Sequence, residues 1–255
     1  MITLYQFTIS QFCEKARWAI DHKGLIYQTE NLLPGTHRKT ALKVSPSTQL
    51  PILRHGLQHI QGSGKIIDYL DEQYQTRLLT PEDPKQRQNA LELEHRLDKD
   101  IGLHLRRFFY AHMLQDSRQL RRLITHYGPW YSNNFYRLML PMIKRNLVKE
   151  MKLNALEAER SRLIINNMLQ QLDKKLENRE YLIGDTFTRV DLTAAALLSP
   201  ICQPDNHPYH CEFLSLPKEL ADFQNKLRDR PFFHWVQGIY QKHRWEVKPS
   251  DRYNP

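Results

Sequence analysis

The sequence predicts an α/β domain with a mixed sheet at residues 1–75, a linker at 76–86 and an all-helical domain at 87–255. Two observations support this prediction: β-prone and helical patterns alternate through the first 74 residues, and only helical periodicity follows. The length of 255 residues is comfortable for two domains, which typically hold about 100–200 residues each. A composition of 40% hydrophobic and 25% charged residues is that of an ordinary folded protein.

The first domain begins with a predicted strand, helix and strand. Residues 2–7 are β-prone, and residues 25–33 have the pattern of a second strand. Between them, apolar residues recur at helical spacing at Phe12, Ala16 and Ile20. A helical crossover of this kind predicts that the two strands are parallel.

A hairpin and a helix complete the predicted first domain. Residues 51–54 and 57–60 flank His55-Gly56, a turn in which glycine can adopt a positive φ. Apolar residues from Ile66 to Tyr74 then follow a helical spacing. With one more helix before the hairpin, the order β-α-β-α-β-β-α predicts a mixed sheet of four strands.

A change from alternating strand and helix patterns to helical patterns alone marks the linker and the second domain. Pro81 and Pro84 interrupt a mostly polar stretch, and the amphipathic segments after it show no β-like alternation. Thr188-x-x-Asp191 has the form of a capping box with aspartate in place of glutamate. A buried helix is therefore predicted to begin there.

Composition excludes several classes of protein. No basic segment followed by an apolar one opens the chain, so we expect a cytoplasmic location rather than secretion. The longest apolar stretch, residues 192–201, is far shorter than the roughly 20 residues of a membrane span, and no membrane association is expected. Three cysteines without a C-x-x-C pair predict reduced thiols. The spacing of Cys202, His207, His210 and Cys211 matches no common zinc pattern, so no metal site is expected.

The net charge of +9 is concentrated in the middle of the chain. Residues 96–162 contain fourteen lysines and arginines against six aspartates and glutamates. A solvated basic helix face explains such a run, although an anionic partner is also compatible with it. The basic residues are scattered among apolar ones and accompany no nucleic-acid motif, so no nucleic-acid partner is expected.

The junction between the first strand and helix contains two candidate reactive residues, Ser10 and Cys13. A helix N-terminus offers unpaired N–H groups and a positive dipole end, which stabilise an anion such as a thiolate. Ser10 can cap the helix and donate its hydroxyl to a sulfur atom, or it can serve as a cap alone. Cys13 can have a lowered pKa in the first turn, or it can be a small buried residue.

Two further positions, Pro51 and Ser63, also allow both a structural and a functional interpretation. Pro51 opens a strand, where a cis or a trans bond is possible. Gly62-Ser63 begins the next helix, where backbone N–H groups and a hydroxyl can bind a carboxylate. Ser63 as a plain N-cap is the alternative.

Together these motifs resemble the N-terminal domain of soluble, cytosolic-type glutathione S-transferases with a serine-type active site. They are Ser10-x-x-Cys13 ahead of Lys15-Ala-Arg17, Leu50-Pro51-Ile52, and Gly62-Ser63 leading into residues 66–70. Thr188-x-x-Asp191 resembles the capping box of the family's helical domain. The resemblance implies a thioredoxin-like first domain, a helical-bundle second domain and glutathione as co-substrate.

The resemblance also implies roles for individual residues. Ser10 corresponds to the hydroxyl that activates glutathione, Leu50 to the residue whose backbone pairs with its cysteinyl part, and Pro51 to a cis-proline. Ser63 corresponds to the residue that binds the γ-glutamyl carboxylate. The expected neighbours of the glycine carboxylate are His37, Lys39 and Gln49.

This sequence departs from the family pattern at two places. Gly62 stands where an acidic residue often precedes the serine, which removes a possible contact to the ammonium group of glutathione. Ser10 replaces the first cysteine of a glutaredoxin-like C-x-x-C, so only monothiol redox chemistry through Cys13 is available.

The second substrate is expected where the helical domain faces Ser10. Aromatic walls with cationic groups suit flat or anionic electrophiles. Core packing and surface charge explain such residues equally well, so both interpretations stay open for the candidates, which are Arg106, Arg107, Tyr110, Trp130 and Tyr131.

The resemblance implies a homodimeric enzyme that conjugates glutathione to small electrophiles. Two alternatives remain at this point: a glutathione-dependent thiol reductase that uses Cys13, and a non-catalytic binding or regulatory protein of the same fold.

Overall fold

The computed structural model describes residues 1–128, 130–209 and 215–244. Its N-terminal part contains a four-stranded sheet in the order β2-β1-β3-β4. Strand β1 is parallel to β2 and antiparallel to β3, so the predicted mixed sheet is confirmed. The strands are β1 (Ile2–Gln6), β2 (Tyr27–Asn31), β3 (Ile52–His55) and β4 (Gln58–Gln61).

Three helices accompany the sheet: α1 (Gln11–His22), α2 (His37–Val44) and α3 (Ser63–Gln73). Helix α1 lies between the sheet and the second domain, and it packs against α3. Its apolar residues at helical spacing, including Ala16 and Ile20, are fully buried. The hairpin turn contains Gly56 with φ of +60°, as the sequence pattern predicts.

The second part of the chain is helical in the described ranges, which confirms the predicted fold class. Helices α4 and α5 are joined by a π-helical segment, Asp98–Leu103. The helices are α4 (Pro84–Leu97), α5 (His104–Met113), α6 (Ser117–Thr125), α7 (Ser132–Met151), α8 (Ala155–Leu176), α9 (Arg189–Cys202), α10 (Lys218–Leu227) and α11 (Pro231–His243).

Helix α9 forms the centre of the second domain, and it begins at the predicted capping box. The Asp191 carboxylate accepts a hydrogen bond from the Thr188 backbone N–H at 2.9 Å, and the Thr188 hydroxyl accepts one from the Val190 N–H at 3.3 Å. Burial raises the pKa of Asp191 to about 6. Helix α9 packs against α1, α4 and α11, so it connects the two domains.

Helices α6 and α7 pack on each other as a helical hairpin, which we call the α6–α7 hairpin (residues 117–151). It has a small apolar core of its own, separate from the main core. The buried members of that core are Leu120, Ile124, Tyr136, Leu140 and Ile143.

Buried ion pairs connect α1 to the helical domain. Lys15 Nζ lies 2.7 Å from Glu94 Oε1 and 2.9 Å from Asp98 Oδ2. Glu94 also binds Arg189, whose Nη1 lies 2.6 Å from Asp68 of α3. A charge buried in this way is stabilised only when it is paired, so these contacts fix how α1, α3 and α4 lie relative to α9.

None of the helices in the described ranges is both long and apolar enough to span a membrane.

Candidate active site

Ser10 is the N-cap of α1, between the end of β1 and the first turn of the helix. Its backbone is extended, with φ of −82° and ψ of 123°, and its Oγ accepts a hydrogen bond from the Cys13 N–H at 3.4 Å. The residue is half-exposed. This contact uses a lone pair of the oxygen, so the hydroxyl proton can be donated to the nearby Cys13 thiol or to a ligand.

Cys13, three residues after Ser10 in the first turn, is fully buried. Its Sγ accepts a hydrogen bond from the Phe7 N–H at 3.4 Å. Burial raises the pKa of the thiol, although Arg17 and the Ser10 hydroxyl oppose this effect. At neutral pH Cys13 is therefore a protonated, enclosed thiol.

Arg17 fixes the connection between β1 and α1. Its Nη2 donates to the Thr8 carbonyl at 3.1 Å, and its Nε donates to Glu14 at 2.8 Å. Glu14 is fully buried and is also bound by Arg244, 2.7 Å away at the end of α11. The two guanidinium groups hold the pKa of Glu14 far below its usual range although burial opposes them. This network holds the backbone just before Ser10 in one conformation.

The first turn of α1 lies against the π-helical segment. Gln11 Nε2 donates to the Gly102 carbonyl at 2.7 Å, which provides a partner for a backbone group in the irregular turn. The end of the Phe12 ring contacts Gly102, where a Cβ would stand only 2.4 Å from Phe12 Cζ. The two residues that follow Ser10 therefore contact the backbone of the second domain through their side chains.

The segment before Pro51 is held by a residue that the sequence analysis did not single out. The Leu50–Pro51 peptide bond is cis, as the resemblance implies. Gln61 Nε2 donates to the Ser47 and Gln49 carbonyls at 2.9 and 2.7 Å. Leu50 is half-buried and Gln49 is exposed, so this loop borders the open side of the domain.

Gly62, and not Ser63, is the N-cap of α3. Gly62 has φ of +101° and ψ of 136°, a conformation that residues with a Cβ rarely adopt. This requirement gives a physical reason for glycine where the family often has an acidic residue. Ser63 is 5% exposed and its hydroxyl makes no hydrogen bond to a described residue. A donor at a helix N-terminus is therefore available to a carboxylate.

His37 begins α2, and its ring meets the Phe7 ring edge-on at a centroid distance of 4.8 Å. Its Nδ1 accepts a hydrogen bond from the Gly35 N–H at 3.1 Å. Burial, and next the charge of Arg38, lower the pKa of His37, so it is neutral at pH 7. Hydrogen bonds to the Leu33 and Thr48 backbone oppose this shift, and the neutral ring does not supply a charge. Lys39, two residues later in the same turn, is exposed.

The candidates for the second substrate separate into two groups. Arg106 and Tyr110 are one helical turn apart on α5, on the same side as Gly102. Arg107 faces the start of α8: it donates to the carbonyl of Met151, the last residue of α7, at 3.0 Å and pairs with Glu157 of α8 at 3.3 Å. Trp130 and Tyr131 are 91% and 52% exposed, so no cleft encloses them.

The α6–α7 hairpin covers the loop before α2. The Tyr136 hydroxyl donates to the Pro34 carbonyl, and Arg38 pairs with Glu150 at 3.1 Å. A Cβ on Gly128 would stand 3.1 Å from Leu33 Cδ2, so the two segments are in close contact. The hairpin therefore contacts the loop that leads to His37. Nothing in the spacing of its aromatic residues indicates this contact from the sequence alone.

The described residues contain no group of three or more metal-ligating side chains. Cys202 is buried, with its pKa raised by burial. His207 lies 4.0 Å from Glu14, and burial lowers its pKa to about 4. His210 and Cys211 lie outside the described residues.

Comparisons with known families assign both domains. The family model of the glutathione S-transferase N-terminal domain matches residues 4–78, and that of the C-terminal domain matches residues 135–233. The chain is 24% identical over 251 residues to glutathione S-transferase TCHQD of Arabidopsis thaliana, covering 93% of this chain and 90% of that protein. A 103-residue match to a glutathione S-transferase of Pseudomonas putida is 27% identical, covering 40% of this chain and 46% of that protein.

Solved structures share the fold. The β-etherase LigF of Sphingobium sp. strain SYK-6 aligns with a TM-score of 0.63 at 15% identity, over 94% of this chain and 99% of that one. A glutathione S-transferase of Ceriporiopsis subvermispora in complex with glutathione aligns with a TM-score of 0.63 at 15% identity, over 97% and 98% of the two chains. The two family models together match well over half of the sequence, and the chain accordingly belongs to the glutathione S-transferase family of enzymes, for which glutathione is the co-substrate.

Proposed function

We propose that this protein conjugates glutathione to small electrophiles and that Ser10 stabilises the glutathione thiolate. The observation that carries this proposal is the contrast between two residues of one helix end. Ser10 is half-exposed with a hydroxyl that can donate, whereas Cys13 is fully buried with a raised pKa. The exposed group at this helix end suits a bound thiolate rather than a protein thiolate.

Glutathione is proposed to bind along the edge of the first domain. The Ser63 hydroxyl and the N-terminus of α3 would bind the γ-glutamyl carboxylate, and the Leu50 backbone would pair with the cysteinyl part. His37, Lys39 and Gln49 are the candidates for the glycine carboxylate. The positive φ of Gly62 and the hydrogen bonds from Gln61 support this assignment, because both preorganise the backbone that would contact the ligand.

The proposed chemical step is a nucleophilic substitution or addition. The thiol proton of glutathione leaves to water, and the hydroxyl of Ser10 donates a hydrogen bond to the resulting thiolate. The sulfur lone pair forms a bond to the electrophilic carbon, and the leaving group departs with the electron pair of its own bond. One donor and one helix end favour the thiolate by about 1–2 pKa units, each worth ~1.4 kcal/mol.

Two features of the assembly also belong to the proposal. We expect a cytoplasmic homodimer in which the first domain of one subunit packs on the helical domain of the other, with a role in detoxification. This expectation rests on the resemblance to the family. Light scattering at micromolar protein concentration tests it, and the mass of a single subunit would contradict it.

Retention on immobilised glutathione, followed by turnover of a panel of small electrophiles, tests the proposed function. We expect binding together with glutathione-dependent product formation. Binding without turnover would favour a regulatory protein, and failure to bind would contradict the proposal. Reduction of a small disulfide that disappears in Cys13→Ala would favour the thiol reductase.

A further inference from the structure

Helix α1 runs in the opposite direction to the rod formed by α4, the π-helical segment and α5 (residues 84–113), and their contacts define a register. Lys15 of α1 pairs with Glu94 and Asp98, and Gln11, one turn earlier in α1, binds the Gly102 carbonyl. Residue numbers therefore fall along α1 as they rise along the rod. One turn beyond Gly102, the rod has passed the N-terminal end of α1, and the residue at that position is Arg106.

The two sides of α5 have different partners. His104 Nδ1 lies 3.0 Å from the Ser161 hydroxyl of α8, and Arg107 pairs with Glu157 of the same helix. Gly102, Arg106 and Tyr110 follow one another at four-residue spacing, so Arg106 continues the side where Gly102 meets Phe12 and points away from His104. The register and this orientation direct Arg106 towards the space in front of Ser10.

Arg106 is a cation without a counter-ion in the part of the chain that the structure describes, because no described carboxylate lies within ion-pair distance of it. The residue is exposed to solvent, but the surrounding protein displaces enough water to lower the pKa of its guanidinium, and Arg107 adds to this effect. Tyr110 opposes it. Arginine stays protonated under such a shift, so the group is a solvent-accessible positive charge that no described carboxylate neutralises.

We infer that Arg106 recognises an anionic group, of the carboxylate class, on the electrophilic substrate. The inference rests on the proposed function and names its substrate class. A guanidinium can bind a carboxylate through two parallel hydrogen bonds, which fixes the orientation of the electrophile as well as its position. The neighbouring Tyr110 ring provides an aromatic surface for a flat substrate.

A matched pair of probes tests this inference: 4-chloro-3,5-dinitrobenzoate and its methyl ester. In both, the glutathione sulfur forms a bond to the carbon that carries chlorine, chloride leaves with the electron pair of the broken bond, and the thiol proton goes to water. The two probes differ in the negative charge and not in the reacting centre. Each kcat/KM is divided by the rate constant of the uncatalysed reaction, which removes the difference in intrinsic reactivity.

The variants are Arg106→Gln and, as a matched control for the loss of one positive charge, Arg137→Gln on the exposed face of α7. We expect the native enzyme to prefer the carboxylate about 10-fold or more. Arg106→Gln should lower kcat/KM for the carboxylate by about 10- to 100-fold and change that for the ester by less than about twofold. Arg106→Lys should restore part of the preference, and Arg137→Gln should leave both values within about twofold.

Turnover of the ester in Arg106→Gln also reports that the variant is folded. Equal losses for both probes, or no preference in the native enzyme, would overturn the inference while leaving glutathione conjugation intact. Absence of turnover with both probes in the native enzyme, together with no retention on immobilised glutathione, would overturn the proposed function and this inference with it.

Discussion

The end of the Phe12 ring points at Gly102, so that a Cβ at position 102 would stand 2.4 Å from Phe12 Cζ. Real Cβ atoms are essentially never found at this distance from another heavy atom. The contact joins the π-helical segment of the second domain to the helix turn that Ser10 caps. A side chain at position 102 would therefore force the Phe12 ring, next to the helix turn that Ser10 caps, to move.

Gly102→Ala should displace the first turn of α1. Overpacking of this kind costs about 1–3 kcal/mol, and we expect a lower free energy of unfolding together with reduced conjugation. Urea unfolding and kcat/KM for a small electrophile measure the two effects. Gly238→Ala in α11 is the matched control, because nothing lies within 4 Å of its Cβ position. If Gly102→Ala proved as stable and as active as Gly238→Ala, this account would be contradicted.

Ser63→Ala should weaken glutathione binding without changing the thiol pKa. The hydroxyl is proposed to donate to the γ-glutamyl carboxylate, and a hydrogen bond to a charged group is worth roughly 1.5–3 kcal/mol. Isothermal titration calorimetry with glutathione gives the affinity. Because Gly62 and not Ser63 caps α3, the loss should not come from an unravelled helix. Unchanged affinity would show that Ser63 is not a ligand.

Glu14→Gln should strongly destabilise the fold. Glu14 is fully buried between Arg17 and Arg244, and removing its charge leaves two buried guanidinium groups without full compensation. Breaking a buried pair in this way costs about 3–5 kcal/mol. Urea unfolding measures the change, with Glu72→Gln on the exposed side of α3 as control. Similar stabilities of the two variants would mean that the network contributes little.

Stability should fall between pH 7 and pH 5 because of His207. Burial lowers its pKa to about 4 in the folded protein, whereas the unfolded value is about 6.5. The unfolded chain binds the proton more readily, so the contribution of His207 is fully present above pH ~6.5 and decreases as the pH falls towards 4, by about 2 kcal/mol between pH 7 and 5.

Urea unfolding of the native protein and of His207→Gln at both pH values isolates this effect. Burial gives His22 a similarly low pKa, and its contribution cancels in the difference between the two proteins. A native protein that loses no more stability in acid than the variant would contradict the assignment.

The sequence predicted the sheet, the helical domain and the start of α9, because these depend on periodicity and on local capping. Ser10 and Ser63 could be found because each lies at the start of a helix, where a local motif and a chemical role coincide. Gly102 and Arg17 could not be identified as supports for the site. Their roles depend on contacts with Phe12 and with the Thr8 carbonyl, and the first of these joins residues ninety positions apart in the chain.

The substrate-binding candidates in the second domain likewise depend on contacts that the sequence does not reveal. The sequence placed Arg106 and Arg107 together, but one residue corresponds to about 100° of rotation on a helix. Arg107 consequently faces α8, and Arg106 faces the side of Gly102. The choice between them required knowing which side of α5 another helix covers.

The pH dependence of kcat/KM in Ser10→Ala and Cys13→Ala tests the central claim most directly, because its inflection reports the pKa of the bound glutathione thiol. Ser10→Ala should raise this apparent pKa and lower the rate at neutral pH by about 10- to 150-fold, whereas Ser10→Thr, which keeps a hydroxyl, should retain more activity. Cys13→Ala should leave the inflection in place. An inflection that Ser10→Ala does not move, with activity lost in Cys13→Ala, would contradict the account.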